Sequence, residues 1–169
     1  GTFHETRGKD ISAPVWWSYL QKAQVAAGIV NLPLTYPPSI GRGFMISGQD
    51  APGDHPSIMA PQSLWHEMSA QFGRYHLKDV FPGGQDKAQY ARLLKDELAR
   101  QTEVYAWIAA RKDWDVLALY TSVIAMAQHY FWDTIDADKT SPVGDLVRQI
   151  FMGVDAMLAR AIDASGGNL

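Results

Sequence analysis

Two stretches of the chain carry consecutive apolar residues without polar alternation. Val25–Asn31 reads VAAGIVN and Val116–Tyr120 reads VLALY. Uninterrupted apolar runs of this length are typical of strands that are covered on both faces, as in a parallel sheet. We therefore predict two buried strands here, and a third, brief strand over Phe44–Ser47.

Helical spacing of apolar residues dominates the rest of the chain. Ser12 as a cap and Pro14 in the first turn predict a helix that runs to about Ala23. Its predicted buried residues are Val15, Trp16, Tyr19 and Leu20. Further helices are predicted over Ser63–Phe72, about Asp86–Arg111, Ile124–Phe131 and Pro142 to about Ala164. The last helix is predicted to bury Val143, Leu146, Ile150, Val154, Leu158 and Ile162.

Loops rich in proline and glycine separate these elements. Leu32–Gly43 and Gln49–Pro61 both read as loops, Tyr75–Val80 is ambiguous, and Asp133–Ser141 reads as a polar loop. The alternation of helices and strands predicts an α/β fold. Only two or three strands are evident, so strands neighbouring Val116–Tyr120 are expected to lie outside this chain.

Composition narrows the classes of function. The 169 residues are 47% hydrophobic, carry a formal net charge of −3 and include no cysteine. Disulfides and thiolate metal sites are therefore excluded. Without a basic run, we expect no nucleic-acid polymer as a partner, and no apolar stretch is long enough to predict a membrane span. The compartment stays open, with the cytoplasm favoured.

His129 is the main candidate for chemistry. It follows the predicted strand Val116–Tyr120, and ligands of α/β proteins gather at the carboxyl ends of such strands. A histidine at this place is either a metal-ligating or catalytic group, or a packed or capping residue. The spacing alone leaves both readings open.

Other candidate motifs are incomplete. His66-Glu67 lacks the second histidine of H-E-x-x-H because Ala70 stands there, and the Gly41–Gly43 segment lacks a third glycine and a P-loop lysine. Tyr36 and its neighbouring prolines form either a lip over a substrate or a rigid loop. The six tryptophans are expected mainly in the core or at domain interfaces.

Three stretches carry a family resemblance. They are Gly8–Pro38 (GKDISAPVWWSYLQKAQVAAGIVNLPLTYPP), Gly43–Gly53 (GFMISGQDAPG) and Asp113–Trp132 (DWDVLALYTSVIAMAQHYFW). In this order they resemble the type I phosphodiesterase/nucleotide pyrophosphatase family of the alkaline phosphatase superfamily. The resemblance implies an α/β fold that is part of an alkaline-phosphatase-like sandwich, with few parallel strands, flanking helices and a Pro/Gly-rich loop region.

The resemblance implies metal-dependent hydrolysis of a phosphodiester or pyrophosphate bond. Members use two divalent metals, commonly zinc, beside a threonine or serine nucleophile; zinc or manganese is the expected metal here. Their D-x-x-x-H segment corresponds to Ala125–His129, so His129 is the implied metal ligand, whereas Ala125 stands where the family has an aspartate. Asp133, and the Asp54-His55 pair, do not match the family's remaining ligand positions.

Residues 1–169 are accordingly expected to be a single internal segment of a longer hydrolase, without its nucleophile and late metal ligands. The chain alone should then bind no metal and lack activity, while the parent would act on a phosphorylated small molecule. The alternatives are a catalytically silent relative that binds a ligand or partner, and an autonomous interaction domain. Exposed sheet edges also predict a homo-oligomer.

Overall fold

The computed structural model describes residues 8–73, 83–84, 86–137 and 141–167, without the side chains of residues 135–137. The chain forms two compact units that alternate along the sequence. Of the described residues, the first unit holds 8–73 and 112–120, and the second holds the remainder. The ambiguous segment Tyr75–Val80 lies outside the described residues.

The first unit is a mixed four-stranded sheet with two α-helices. Its strands are β1 (Ala27–Val30), β2 (Gly43–Ile46), β3 (Met59–Ala60) and β4 (Val116–Leu119), and its helices are α1 (Trp16–Lys22) and α2 (Ser63–Phe72). The strand order is β3-β2-β1-β4. Strand β1 runs parallel to β2 and β4, whereas β2 and β3 are antiparallel. The mixed α/β class is therefore confirmed; the alkaline-phosphatase-like sandwich stays a prediction.

Close packing at the middle of the sheet explains a glycine in β1. Gly28 is in register with Phe44 on one side and Leu117 on the other. A Cβ atom at Gly28 would lie 2.5 Å from the Phe44 ring and 2.8 Å from Leu117 Cδ1. The phenylalanine ring therefore fills the space above the glycine, and a larger residue would have to displace the Phe44 and Leu117 side chains.

The two predicted buried strands differ in their surroundings. All four residues of β1 are buried, as the sequence predicts. The prediction that β4 is covered on both faces is wrong: Val116 is exposed and the other three residues are only half-buried. Within the described residues β4 pairs with β1 alone, so it is an edge strand, and an edge strand has fewer neighbours to cover its side chains.

Helix α1 begins later than predicted and buries a different tryptophan. Its first residue is Trp16, and the cap position is Val15, with no side-chain hydrogen bond, rather than Ser12. Trp17 packs in the core with Ala27, Ile29 and Met45. Trp16 and Tyr19, predicted to be buried, are 43% and 57% exposed, because adjacent helix positions point about 100° apart and Trp17 takes the inward one.

The second unit consists of three α-helices: α3 (Lys87–Ala109), α4 (Val123–Ala137) and α5 (Pro142–Ser165). Asp86 and Ser141 cap α3 and α5 by accepting the backbone N–H groups of Gln89 and Gly144. Side-chain hydrogen bonds join Lys95 of α3 to Gln149 of α5 and, further along both helices, Glu103 to Arg160. The two helices therefore run parallel.

Helix α4 runs antiparallel to α3. Lys87 at the start of α3 contacts Asp133 near the end of α4, and Gln101 further along α3 contacts Thr121 just before α4. Helix α4 extends past the predicted end at Phe131 into the segment predicted as a polar loop. Its buried residues recur every four positions, at Val123, Ala127 and Phe131, as in the predicted helix.

The predicted buried stripe of α5 is rotated from the observed one. Ile150 and Val154 are buried as predicted, but Leu158 is 54% exposed. The observed seam follows alternating steps of three and four residues, as two helices packed lengthwise require. It comprises Val147, Ile150, Val154, Met157 and Ala161.

Candidate metal-ligand site on helix α4

His129 lies on the outer face of α4, where it neither packs in the core nor caps a helix. Its side chain is exposed, and its ring stands perpendicular to that of Tyr130, with 5.0 Å between the ring centroids. Trp132, one turn further on, is 63% exposed. The packed and capping readings are therefore excluded, and the imidazole is accessible to a ligand.

Aromatic packing fixes which face of α4 points outward. Phe131 is fully buried and stacks on Tyr90 of α3, with ring centroids 5.6 Å apart. Tyr130 also contacts Tyr90, edge to face at 5.2 Å. Because Phe131 anchors the inner face, His129 and Trp132 are held on the opposite face.

A polar chain fixes the start of α4. The Thr121 hydroxyl donates to Gln101 Oε1 at 2.7 Å, and Gln101 Nε2 donates to Glu97 Oε1 at 2.9 Å. Arg100 completes the chain through an ion pair with Glu97. Glu97 and Gln101 are each 7% exposed, so these hydrogen bonds satisfy groups that would otherwise be costly to bury. The backbone N–H of Val123 donates to the same threonine oxygen, at 3.3 Å.

Ala125 occupies the outer face one turn before His129. It is exposed, and the spacing of four residues places both on the same side of the helix. A carboxylate at this place would lie beside the imidazole, as two ligands of one metal do. The methyl group of Ala125 offers no donor atom on this exposed face.

Asp133 lies one turn after His129, but its carboxylate binds Lys87. Lys87 Nζ donates to its two carboxylate oxygens at 2.8 and 2.6 Å. This hydrogen bond is the main reason that the pKa of Asp133 lies below its ordinary value, with further lowering from the Thr134 backbone N–H. The carboxylate is thus directed toward α3.

Asp50 and His55 have local structural roles. The carboxylate of Asp50 accepts the backbone N–H groups of Leu34 and Tyr36, at 2.9 and 3.3 Å. His55 Nδ1 accepts the N–H of Ser57 at 3.2 Å and caps the 3₁₀ turn Pro56–Ile58. Both side chains therefore stabilise local backbone structure.

The first unit contains a cavity that the sequence did not predict. It has a volume of about 420 Å³, and segments 8–21 and 34–45 both contribute to its lining. Only the proline-rich lip near Tyr36 hinted at it, because the lining residues are too far apart in sequence to form a motif.

Among the described residues, no group of three or more His, Cys, Asp or Glu side chains comes close enough together to hold a metal ion.

Comparisons with protein-family models, curated proteins and solved structures found no match for the chain. No helix in the described part of the chain combines the length and the apolar character needed to cross a membrane.

Proposed function

We propose that the chain is a segment of a metal-dependent hydrolase of phosphodiester or pyrophosphate bonds, in which His129 supplies one metal ligand. The observation that carries this proposal is the exposed imidazole on the outer face of α4, the helix that follows parallel strand β4. Core histidines are packed against neighbours, whereas this ring is left accessible on a helix whose other face is firmly anchored.

The residues of this chain would orient that ligand. The Thr121–Gln101 hydrogen bond holds the start of α4 and the Phe131–Tyr90 stack holds its middle, which limits the positions that the imidazole can take. A divalent metal held in part by His129 would lower the pKa of a bound hydroxyl and neutralise phosphoryl charge. In this proposal the nucleophile and the other ligands belong to polypeptide beyond residues 1–169.

The second candidate is a catalytically silent relative that binds a ligand or partner without hydrolysis. Ala125 favours it, since the exposed position beside His129 lacks a donor atom. Loss of one carboxylate ligand would weaken a metal site at this surface. The two candidates differ in one respect, which is whether the parent protein turns over substrate.

The test is hydrolysis of bis(4-nitrophenyl) phosphate by the full-length protein with zinc or manganese. We expect turnover in the wild type and a loss of at least about 100-fold in His129→Ala. His66→Ala is the matched control, because His66 is an equally exposed helical histidine on α2, and its activity should stay within about twofold.

Full activity in His129→Ala would exclude the ligand role. An inactive wild type that becomes active only as Ala125→Asp would identify the silent relative. Inactivity of both proteins with either metal would contradict the hydrolase proposal.

A further inference from the structure

Residues 8–21 and 34–45 of the first unit line the cavity. Helix α1 contributes Trp17 and Gln21, the segment before it contributes Lys9, and the loop after β1 contributes Leu34 and Ser39. Its volume of about 420 Å³ falls within the range of small-molecule sites in proteins.

The loop that forms one wall is held by several hydrogen bonds. The buried Thr35 hydroxyl donates to the Leu32 carbonyl at 2.6 Å and accepts the Gly48 N–H at 2.9 Å. Ser47 Oγ donates to the Thr35 carbonyl at 3.1 Å, and Asp50 binds the loop from its other side. The wall is therefore formed before any ligand arrives, which lowers the entropic cost of binding.

The opposite side is tied to the same loop. The Gly8 N–H donates to the Tyr36 carbonyl at 3.0 Å, so the 3₁₀ turn Gly8–Asp10 stays beside the loop. Leu34 has a φ of +61°, a strained conformation for a branched residue that persists only where the surroundings hold it. Both observations indicate a shape that the fold maintains against strain.

Among the described residues, the charge of the lining has one sign. Lys9 is the single charged residue of the described lining, which includes no aspartate or glutamate. Its ammonium group has no ion-pair partner among the described residues. In a chain with a net charge of −3, a cavity that carries only a cation selects for an anion.

The remaining lining is largely apolar, with Ile11, Val15, Trp17, Leu34, Pro37 and Met45 around it. We propose that this cavity binds a small organic anion whose apolar body lies against Trp17 and whose charged group meets Lys9. The proposal goes beyond the hydrolase assignment and does not depend on it, because no residue of α4 takes part.

Two probes separate charge from apolar fit. Binding of 1-naphthalenesulfonate and of its neutral analogue 1-naphthalenemethanol would be followed by NMR, through the shifts of the Trp17 indole N–H and the Gly8 amide. We expect saturable shifts at both groups with the sulfonate, and affinity at least about fivefold weaker for the neutral analogue. Neither probe can be hydrolysed, so the result is independent of any phosphodiesterase activity.

Two lysine variants provide a matched comparison. Lys9→Glu should weaken sulfonate binding about fivefold to tenfold, since it replaces attraction by repulsion at an exposed site. Lys22→Glu makes the same charge change on α1, outside the cavity lining, and should change affinity by less than about twofold. Ser39→Trp, at an exposed lining residue, should block binding of both probes.

Equal affinity for the two probes, or equal effects of Lys9→Glu and Lys22→Glu, would overturn the proposal. Shifts that saturate at residues away from the cavity would do the same. A Ser39→Trp protein that is folded and still binds the sulfonate with unchanged affinity would also contradict it.

Discussion

The hydroxyl of Thr121 donates to Oε1 of Gln101 at 2.7 Å, which joins the start of α4 to the middle of α3. Gln101 is 7% exposed and in turn binds Glu97. Removing the hydroxyl would leave a buried amide oxygen without its donor, and this costs more than the net value of one hydrogen bond.

Thr121→Val should accordingly lower the free energy of unfolding by about 1–3 kcal/mol. The valine keeps the shape of threonine, so the loss reports the hydrogen bond and not the packing. Thr134→Val, which removes a hydroxyl whose hydrogen bonds with Lys87 and Asp133 are exposed, should cost below about 0.5 kcal/mol. Urea unfolding followed by circular dichroism checks both, and equal costs would show that the Thr121–Gln101 bond contributes nothing particular.

Restoring a carboxylate beside His129 should raise the affinity for zinc. In Ala125→Asp the two donors lie one turn apart on the same exposed face, so one ion can reach both. We expect isothermal titration calorimetry of the full-length protein to show at least about tenfold tighter binding in Ala125→Asp than in the wild type. Gln128→Asp adds the same charge to the exposed face next to His129 but not one turn from it. Equal gains in both variants would mean that added charge alone attracts the ion.

The tandem tryptophans should differ sharply in their contribution to stability. Trp17 is 9% exposed in the core of the first unit, so Trp17→Ala should cost about 3–5 kcal/mol. Trp16 is 43% exposed but stands edge-on to Trp17, with ring centroids 5.5 Å apart, so Trp16→Ala should cost about 1 kcal/mol. Chemical denaturation measures both, and a larger loss for Trp16→Ala would contradict the observed orientation of α1.

Lys87 should control the titration of Asp133. The ammonium group holds the pKa of Asp133 below its ordinary value of 3.8, so Lys87→Met should raise it, as NMR titration of the carboxyl carbon would detect. Since the pKa is lowered on folding, the unfolded chain binds more protons near pH 4. The contribution to stability is therefore complete above the ordinary pKa and is lost as pH falls through the folded pKa.

The loss of folding stability on acidification should be smaller in Lys87→Met than in the wild type, because Asp133 contributes less to it. Lys95→Met is a suitable control, because it removes the same charge from α3 at a lysine that donates to the Gln149 side chain. An unchanged Asp133 titration in Lys87→Met would exclude the ion pair in solution.

The sequence predicted the starts of α3 and α5 well because the caps of these helices are local. Asp86, Ser141 and Pro142 mark helix starts that depend on neighbouring residues only. The prediction was wrong for Ser12, because the helix begins only after Val15, whose backbone is extended. The 3₁₀ turn and β3, within a segment predicted as loop, were missed because the two-residue strand is formed by pairing with β2 rather than by its own pattern.

The surroundings of β4 and of His129 were harder to predict. VLALY has the composition of a doubly covered strand, yet coverage depends on neighbours that the local sequence does not reveal. His129 was identified by its place after β4, but its exposure follows from the inward packing of Phe131. The cavity could not be predicted, because its lining forms only when residues 8–21 and 34–45 come together.

The position of β4 in the sequence has a consequence for synthesis of the chain. The N–H of Ala26 binds the carboxylate of Asp115, a contact between residues 89 positions apart, and all of α3 is translated between them. During synthesis, the edge of β1 that pairs with β4 therefore stays unpaired until α3 has left the ribosome. A nascent chain stalled within α3 would expose that edge, and chaperones that capture extended apolar segments would find it there.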